Sequence, residues 1–244
     1  MKQSIFQIVE NKRLTDNVYR MILSGDTSAV TAPGQFVNIR LSGKFLRRPI
    51  SVCDYSSDSL TLIYKTVGAG TEQIAGMTSG SLDLLTGLGN GYDLSSSGPS
   101  PVLIGGGVGV PPMYRLAKDL LAEGKKVSVI LGFNTKKEIF YEDEFRALGC
   151  SVFVTTADGS YGIKGFVTDA LKDLEYSYFY ACGPEPMLKA VYRASKTGGQ
   201  MSFEERMGCG FGACMGCSCK TLTGSKRICK DGPVMRKEDI LWEK

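Results

Sequence analysis

The chain reads as a multi-domain β plus α/β protein, on three changes of texture along its 244 residues. Short β-branched and aromatic runs fill residues 1–97, strand and helix patterns alternate over 98–198, and cysteines crowd 199–244. An N-terminal antiparallel β-barrel, a parallel-sheet nucleotide domain and a small C-terminal cysteine segment follow from those textures.

The barrel is expected from six runs: Ile5–Val9, Val18–Leu23, Phe36–Leu41, Ile50–Cys53, Leu60–Lys65 and Leu82–Leu85. Their spacing, with turn residues between them, is that of a small closed antiparallel sheet. Ser95-Ser96-Ser97-Gly98-Pro99-Ser100-Pro101 then marks a boundary. Beyond it, Val102–Ile104 leads into a helix from Pro111 to Glu123, and Val127–Leu131 precedes Tyr141–Leu148. Val152–Thr155 precedes Val167–Leu174, and Tyr178–Ala181 precedes Glu185–Ser195. Such alternation gives a parallel sheet with flanking helices. The last segment is short, and it needs a metal to fold.

Composition narrows the chemistry. With 43% hydrophobic and 22% charged residues the chain is globular, and a net charge of +4 without any basic run argues against nucleic acid. The opening Met1-Lys2-Gln3-Ser4-Ile5-Phe6 lacks a signal-peptide core, and no run approaches the roughly 18 apolar residues of a membrane span. A cytoplasmic protein off the membrane is expected. Histidine is absent. That removes Ser-His and Cys-His nucleophile systems, Rieske-type ligation and His-ligated zinc, and leaves the chemistry to bound cofactors.

Of eight cysteines, Cys53, Cys150 and Cys182 are scattered, while Cys209, Cys214, Cys217, Cys219 and Cys229 gather near the end. Cys209-x4-Cys214-x2-Cys217 with a distant Cys229 has the plant-type [2Fe–2S] spacing. Gly208, Gly210, Gly212, Ala213 and Gly216 let the loop wrap closely and leave N–H groups free to face sulfur. The competing reading is a four-cysteine structural zinc site, but zinc ribbons favour two short-spaced pairs and only one C-x2-C pair is present. Cys219 reads as a neighbouring thiol, since four ligands are already supplied.

Gly105-Gly106-Gly107-Val108-Gly109 sits at a strand-to-helix junction, followed by Pro111. Such a turn lets a diphosphate approach the backbone, or serves close packing; Val110 spoils the full G-x-G-x-x-G pattern. Cys182-Gly183-Pro184 forms a second strand-end turn, where ligands of open α/β sheets bind; its alternative is a buried cysteine closing a strand. No acidic residue immediately follows the second strand of this region, at Gly132-Phe133-Asn134-Thr135-Lys136-Lys137, and the lysines leave a 2′-phosphate possible there.

In the barrel, Arg47-Arg48-Pro49-Ile50-Ser51 offers a cation and a hydroxyl. Ile63-Tyr64-Lys65 and Gly68-Ala69-Gly70-Thr71 follow, the latter able to open a short helix over a diphosphate. Each segment alone is equally a solvated surface.

Taken in this order, these elements resemble the ferredoxin-reductase superfamily, and more narrowly the electron-transfer subunits of class 1B dihydroorotate dehydrogenase. The likeness spans essentially the whole chain and is most specific at Glu204-Glu-Arg-Met-Gly-Cys-Gly-Phe-Gly-Ala-Cys-Met-Gly-Cys217 and Cys229-Lys-Asp-Gly-Pro-Val234. The resemblance implies FAD held by Arg48, Pro49, Ile50, Ser51, Ile63, Tyr64, Lys65, Gly70 and Thr71, with Ser51 near the reactive flavin nitrogen. It implies a [2Fe–2S] cluster on Cys209, Cys214, Cys217 and Cys229. NAD would lie against Gly105, Gly106, Gly107, Gly109, Cys182, Gly183 and Pro184. It further implies an FMN-containing catalytic subunit as partner, two of each chain, and a place in pyrimidine (UMP) biosynthesis. Two other readings remain open: a reductase of the NAD(P)H:ferredoxin type or the flavin subunit of another complex such as a sulfhydrogenase, and a zinc-binding regulatory module without catalysis.

Overall fold

The computed structural model describes residues 1–242, so the last two residues of the expected 199–244 segment lie outside the described residues. Six strands, β1 (Lys2–Arg13), β2 (Val18–Ser24), β3 (Phe36–Arg40), β4 (Arg48–Tyr55), β5 (Ser59–Lys65) and β6 (Ser81–Leu88), close into a barrel ordered β1-β2-β5-β4-β3-β6. A short helix, α1 (Ala69–Ala75), connects β5 to β6. Along β6, Leu82, Leu84, Thr86 and Leu88 are buried and the residues between them are not, the period of two that a half-buried strand requires. Phe6, Met21, Leu23, Ile39, Leu60, Leu62, Ile74 and Leu84 are fully enclosed. Each contributes about 1.5–3 kcal/mol of apolar burial, and together they fix the register. Register shifts in β1, β3 and β4 supply the local bends that closing so small a sheet demands.

The second sheet has the order β10-β9-β8-β7-β11-β12-β15. Its strands are β7 (Val102–Gly106), β8 (Ser128–Phe133), β9 (Ser151–Thr156), β10 (Ile163–Lys164), β11 (Phe179–Cys182), β12 (Gly199–Ser202) and β15 (Val234–Arg236). All neighbours are parallel except β15, which runs antiparallel to β12. Helices α2 (Pro111–Ala122) and α3 (Glu142–Ala147) cover the face carrying Leu103, Val129 and Leu131. Helices α4 (Val167–Leu171) and α5 (Glu185–Ala194) cover the face carrying Val102, Ile104 and Ile130. Both faces are apolar, which is why these strands read as continuous hydrophobic runs. A polar hairpin, β13 (Ser218–Thr221) and β14 (Gly224–Arg227), lies between the cysteine loop and β15. Among the described residues no helix is long and apolar enough to cross a membrane.

The sheet runs across the 198/199 division expected from sequence texture, because β12 and β15 both lie beyond it. A side chain at Gly199 would run into the ring of Phe179, so glycine there is what lets β12 close on β11. The cysteine loop is thereby tethered at both ends to the nucleotide sheet. Helix α4 stops at Leu171, short of the Leu174 expected for it.

The barrel and the sheet meet through α2. Lys118 Nζ lies 2.7 Å from Asp54 Oδ2 in β4, and Arg115 Nη1 donates to the Tyr55 carbonyl at 2.6 Å. The Arg115 guanidinium also lies 4.0 Å from the centroid of the Tyr55 ring. Arg115 therefore combines a charged hydrogen bond with a close cation–π contact across the interface, whereas the more exposed Lys118 pairs with Asp54 and meets a ring only at 5.9 Å, that of Tyr114 on its own helix. Arg115→Ala is expected to destabilise the chain by about 1–2 kcal/mol and to lower Tm by a few degrees in differential scanning calorimetry. Lys118→Ala is expected to shift stability by less than about 1 kcal/mol; equal losses for the two variants would contradict this ranking.

Candidate functional site

In the loop between β12 and β13 the thiols come in two pairs. Cys209 N–H faces Cys214 Sγ at 3.5 Å, while Cys214 N–H and Ala213 N–H face Cys209 Sγ at 3.4 and 3.2 Å. Cys229 N–H faces Cys217 Sγ at 3.4 Å. The two pairs are close enough for Cys209 to raise the pKa of Cys229. Among the described residues no three His, Cys, Asp or Glu side chains are grouped to hold a single metal ion. Two thiol pairs fit two irons better than one tetrahedral zinc.

The backbone of this loop is tuned for anionic sulfur. Desolvation opposes the Cys209 thiolate, but N–H groups of Phe211, Cys214 and Ala213, with the Cys214 thiol, outweigh it and bring the pKa down to about 6. Cys229 is more enclosed, and burial together with its bond to Cys217 pushes it up to about 12. Gly210 and Gly212 adopt φ of +78° and +92°. A side chain at Gly210 would collide with Asn38 of the barrel, whose Nδ2 donates to the Cys209 carbonyl at 3.2 Å. Cys219 sits on β13 and lines a small cavity with Phe203 and Trp242.

A cavity of about 350 Å³ opens between the barrel and the nucleotide sheet. Arg48, Pro49, Ile50 and Ser51 of β4 line one wall, with Ile63, Tyr64 and Lys65 of β5 beside them. Thr71 joins them from α1. Gly70 lies behind this wall, where any side chain would strike the Arg48 guanidinium. Thr71 spends its hydroxyl locally, accepting from Val67 N–H at 2.9 Å and donating to the Gly68 carbonyl at 3.0 Å. The Tyr64 hydroxyl is likewise engaged, donating to Asn11 Oδ1 at 2.9 Å. The paired arginines part company here. Arg47 Nη1 bonds the Asp83 carboxylate and the Asn38 carbonyl, so only Arg48 reaches the cavity. Cations, a hydroxyl and apolar walls fit a flavin with its diphosphate.

A second cavity, of about 580 Å³, lies at the C-terminal ends of the parallel strands, where β7 is flanked by β8 and β11. That crevice is where open α/β sheets bind nucleotides. Gly106, Gly107, Gly109, Gly183 and Pro184 line it. Gly105 does not: it packs against Val110, and a side chain there would approach the Val110 backbone to 2.8 Å. Gly109 is glycine because a side chain would run into the Cys182 carbonyl. A short 3₁₀ turn, Gly107–Gly109, intervenes before α2. The buried Thr155 hydroxyl on the cavity wall has no hydrogen-bond partner among the described residues, an unfilled polar position that suits a nucleotide.

Lys65, Val108 and Glu204 line both cavities, so the two adjoin. Cys182 lines the flavin-side cavity, while its neighbours Gly183 and Pro184 line the larger one. Burial, reinforced by the nearby Glu204 charge, pushes its thiol up to about 12, which keeps it neutral. Although Glu204 is open to solvent, protein packed around its carboxyl desolvates it and raises its pKa.

Residues 204–241 match the family model of the iron-sulfur cluster binding domain of dihydroorotate dehydrogenase B, and residues 103–193 match that of the oxidoreductase NAD-binding domain. The chain is 42% identical over 257 aligned positions to a dihydroorotate dehydrogenase B (NAD(+)) electron transfer subunit from Bacillus pumilus, covering 98% of each. It is 43% identical to the subunit of that name from Fusobacterium nucleatum, covering 98% of this chain and 99% of the relative. The chain belongs to the dihydroorotate dehydrogenase B electron transfer subunits. A solved structure of an NADH-dependent reduced ferredoxin-NADP oxidoreductase superposes with a TM-score of 0.87 at 29% identity, over 97% of this chain and 90% of that one. A ferredoxin NADP+ reductase from Neisseria gonorrhoeae shares the fold, with a TM-score of 0.68 at 19% identity over 80% of this chain and 90% of that one.

As a member of this family the chain is an oxidoreductase subunit built around FAD, a [2Fe–2S] cluster and NAD. Among the cavity residues that sequence reading did not single out are Phe36, Ser202 and Glu138. Phe36 and Ser202 carry no local signal, since only the closure of the barrel onto the sheet places them. Glu138 was within reach of a wider search, six residues beyond Gly132.

The thiol environments give a direct prediction. In metal-free chain at pH 7, iodoacetamide is expected to alkylate Cys209 fastest, as the thiol whose pKa is brought down to about 6, and to leave the enclosed Cys53 and Cys182 unmodified. Peptide mass spectrometry reads this, and early labelling of Cys53 or Cys182 would contradict it.

Proposed function

We propose that this chain takes electrons from an FMN-containing catalytic subunit that oxidises dihydroorotate and delivers them to NAD⁺, in an assembly of two copies of each subunit in the cytoplasm. The adjoining of the two cavities, together with the paired thiols of the cysteine loop, is the observation that carries this reading. When bound, the cluster exchanges single electrons, the flavin takes one or two, and NAD⁺ accepts a hydride.

The chain's own residues serve to hold, orient and insulate. Cys209 and Cys214 would hold one iron, Cys217 and Cys229 the other, with loop N–H groups stabilising the sulfur charge. Arg48 and Lys65 would neutralise the flavin diphosphate, and Ser51 would hydrogen-bond the ring. Pro49, Ile50, Ile63 and Tyr64 would form the wall along the flavin, with Gly70 and Thr71 setting the turn behind Arg48. Gly106, Gly107 and Gly109 would let the dinucleotide approach the backbone, and Gly183 with Pro184 would close the far side. Cys182, held neutral, would present an uncharged thiol where the flavin and nicotinamide regions meet. Functionally we divide the chain at 1–97 for flavin, 98–198 for NAD and 199–244 for the cluster, with β12 and β15 serving as struts that fasten the third part to the second.

The test is anaerobic co-expression with the FMN subunit, followed by a dihydroorotate-to-NAD⁺ assay. Copurification of both chains and formation of NADH in step with orotate are expected. A chain that reduces ferredoxin with NADH yet never associates with the dihydroorotate-oxidising subunit would favour the reductase reading instead. Ser51→Ala is expected to keep its FAD while slowing flavin reduction by NADH about tenfold, the loss of one useful hydrogen bond. Unchanged stopped-flow rates would remove Ser51 from this role.

A further inference from the structure

We propose that Asn38 and Arg227 act as outer clamps on the cysteine loop and raise the reduction potential of its cluster. Both are positioning residues, an assignment that rests on the four thiols holding that cluster. Each turns one peptide carbonyl of the loop outward, so that the N–H of the same peptide faces the other way.

The fuller clamp is Arg227, the last residue of β14. Its Nη1 donates to the Gly212 carbonyl at 2.9 Å, and the N–H of that same peptide, on Ala213, faces Cys209 Sγ at 3.2 Å. Because a trans peptide points its carbonyl and N–H in opposite directions, fixing one aims the other. A cationic donor on the carbonyl also polarises the peptide and strengthens its N–H as a donor. Asp231 holds the guanidinium in place. Its Oδ2 accepts from Arg227 Nε at 3.1 Å and from the Arg227 N–H at 2.9 Å.

Asn38 grips the same stretch of loop from the barrel. Its Nδ2 donates to the Cys209 carbonyl at 3.2 Å, which turns the Gly210 N–H away from the barrel. Asn38 is only 1% exposed, and its Oδ1 has no hydrogen-bond partner among the described residues. An apolar side chain of that shape would avoid the cost of an orphaned acceptor, so the amide is not there for stability. Its backbone is a firm base. Pro49, opposite on β4, has no N–H to offer, and Arg47 Nη1 donates to the Asn38 carbonyl at 3.3 Å. Each clamped peptide adjoins a glycine at positive φ, Gly210 or Gly212, where rotation of a peptide unit costs little. Released from the clamps, these carbonyls can swing toward sulfur and oppose the charge that reduction adds.

Midpoint potentials read the effect, by EPR for the cluster and by visible absorbance for FAD, in variants carrying full iron and sulfide. Asn38→Leu keeps the side-chain shape and loses the donor. It is expected to lower the cluster potential by about 59 mV, a tenfold change in a one-electron equilibrium, with Tm within a few degrees of wild type. FAD is expected to keep its potential, because neither residue lines the flavin cavity. Arg227→Lys keeps the charge but lacks the fork that grips Asp231 and the Gly212 carbonyl together. A fall in the same direction is expected there, which charge alone would not produce, and this variant carries the test if Asn38→Leu fails to fold. An unchanged cluster potential in either iron-replete variant, or an equal shift in FAD, would overturn the assignment. Wild type purified without oxygen and still lacking iron and sulfide would instead defeat the cluster site itself, so the metal count comes before any potential.

Discussion

Everything in this molecule depends on holding sulfur anions close together without the charge driving them apart. The loop from Cys209 to Cys217 does so with backbone rather than side chains. Glycines at positive φ bring N–H groups onto Cys209 and Cys214, and a side chain at Gly210 would push the loop off the barrel. Thiolates presented in two pairs make a site for two linked irons, and the electron-transfer role follows from that pairing.

The rest of the fold serves to bring other groups within reach of this loop. Asn38 ties the Cys209 carbonyl to β3, the strand whose first residue, Phe36, lines the flavin cavity. Strands β12 and β15 fasten both ends of the cysteine segment to the nucleotide sheet, beside β11 and its Cys182. Arg115 and Lys118 then lock α2 onto the barrel through Tyr55 and Asp54. The two large cavities thereby adjoin, and the cysteine loop is tied to the strand whose Phe36 lines one of them, an arrangement that suits short-range electron and hydride transfer.

Much of this was legible in the sequence, for identifiable reasons. A barrel strand such as β6 announces itself because one face is buried, as the alternation through Leu82, Leu84 and Leu88 shows. The four clustered cysteines stand out because their spacing is local. Their pairing does not, since Cys229 reaches Cys217 only after the β13–β14 hairpin turns the chain back, and that hairpin is polar and exposed. Strand β12 was missed because Gly199, Gln200, Met201 and Ser202 lack β-branched residues; its place is set by packing against Phe179. Arg47 and Arg48 look equivalent in sequence, but Asp83, thirty-six residues away, takes the first and leaves the second for the cavity.

The absence of histidine is consistent with this division of labour: the protein positions and insulates, and bound groups carry the electrons. The most direct measurement is iron and acid-labile sulfide in chain purified without oxygen. Two of each per chain are expected, with loss of both when Cys214 or Cys217 is replaced by serine. A single zinc per chain, with no sulfide, would contradict it.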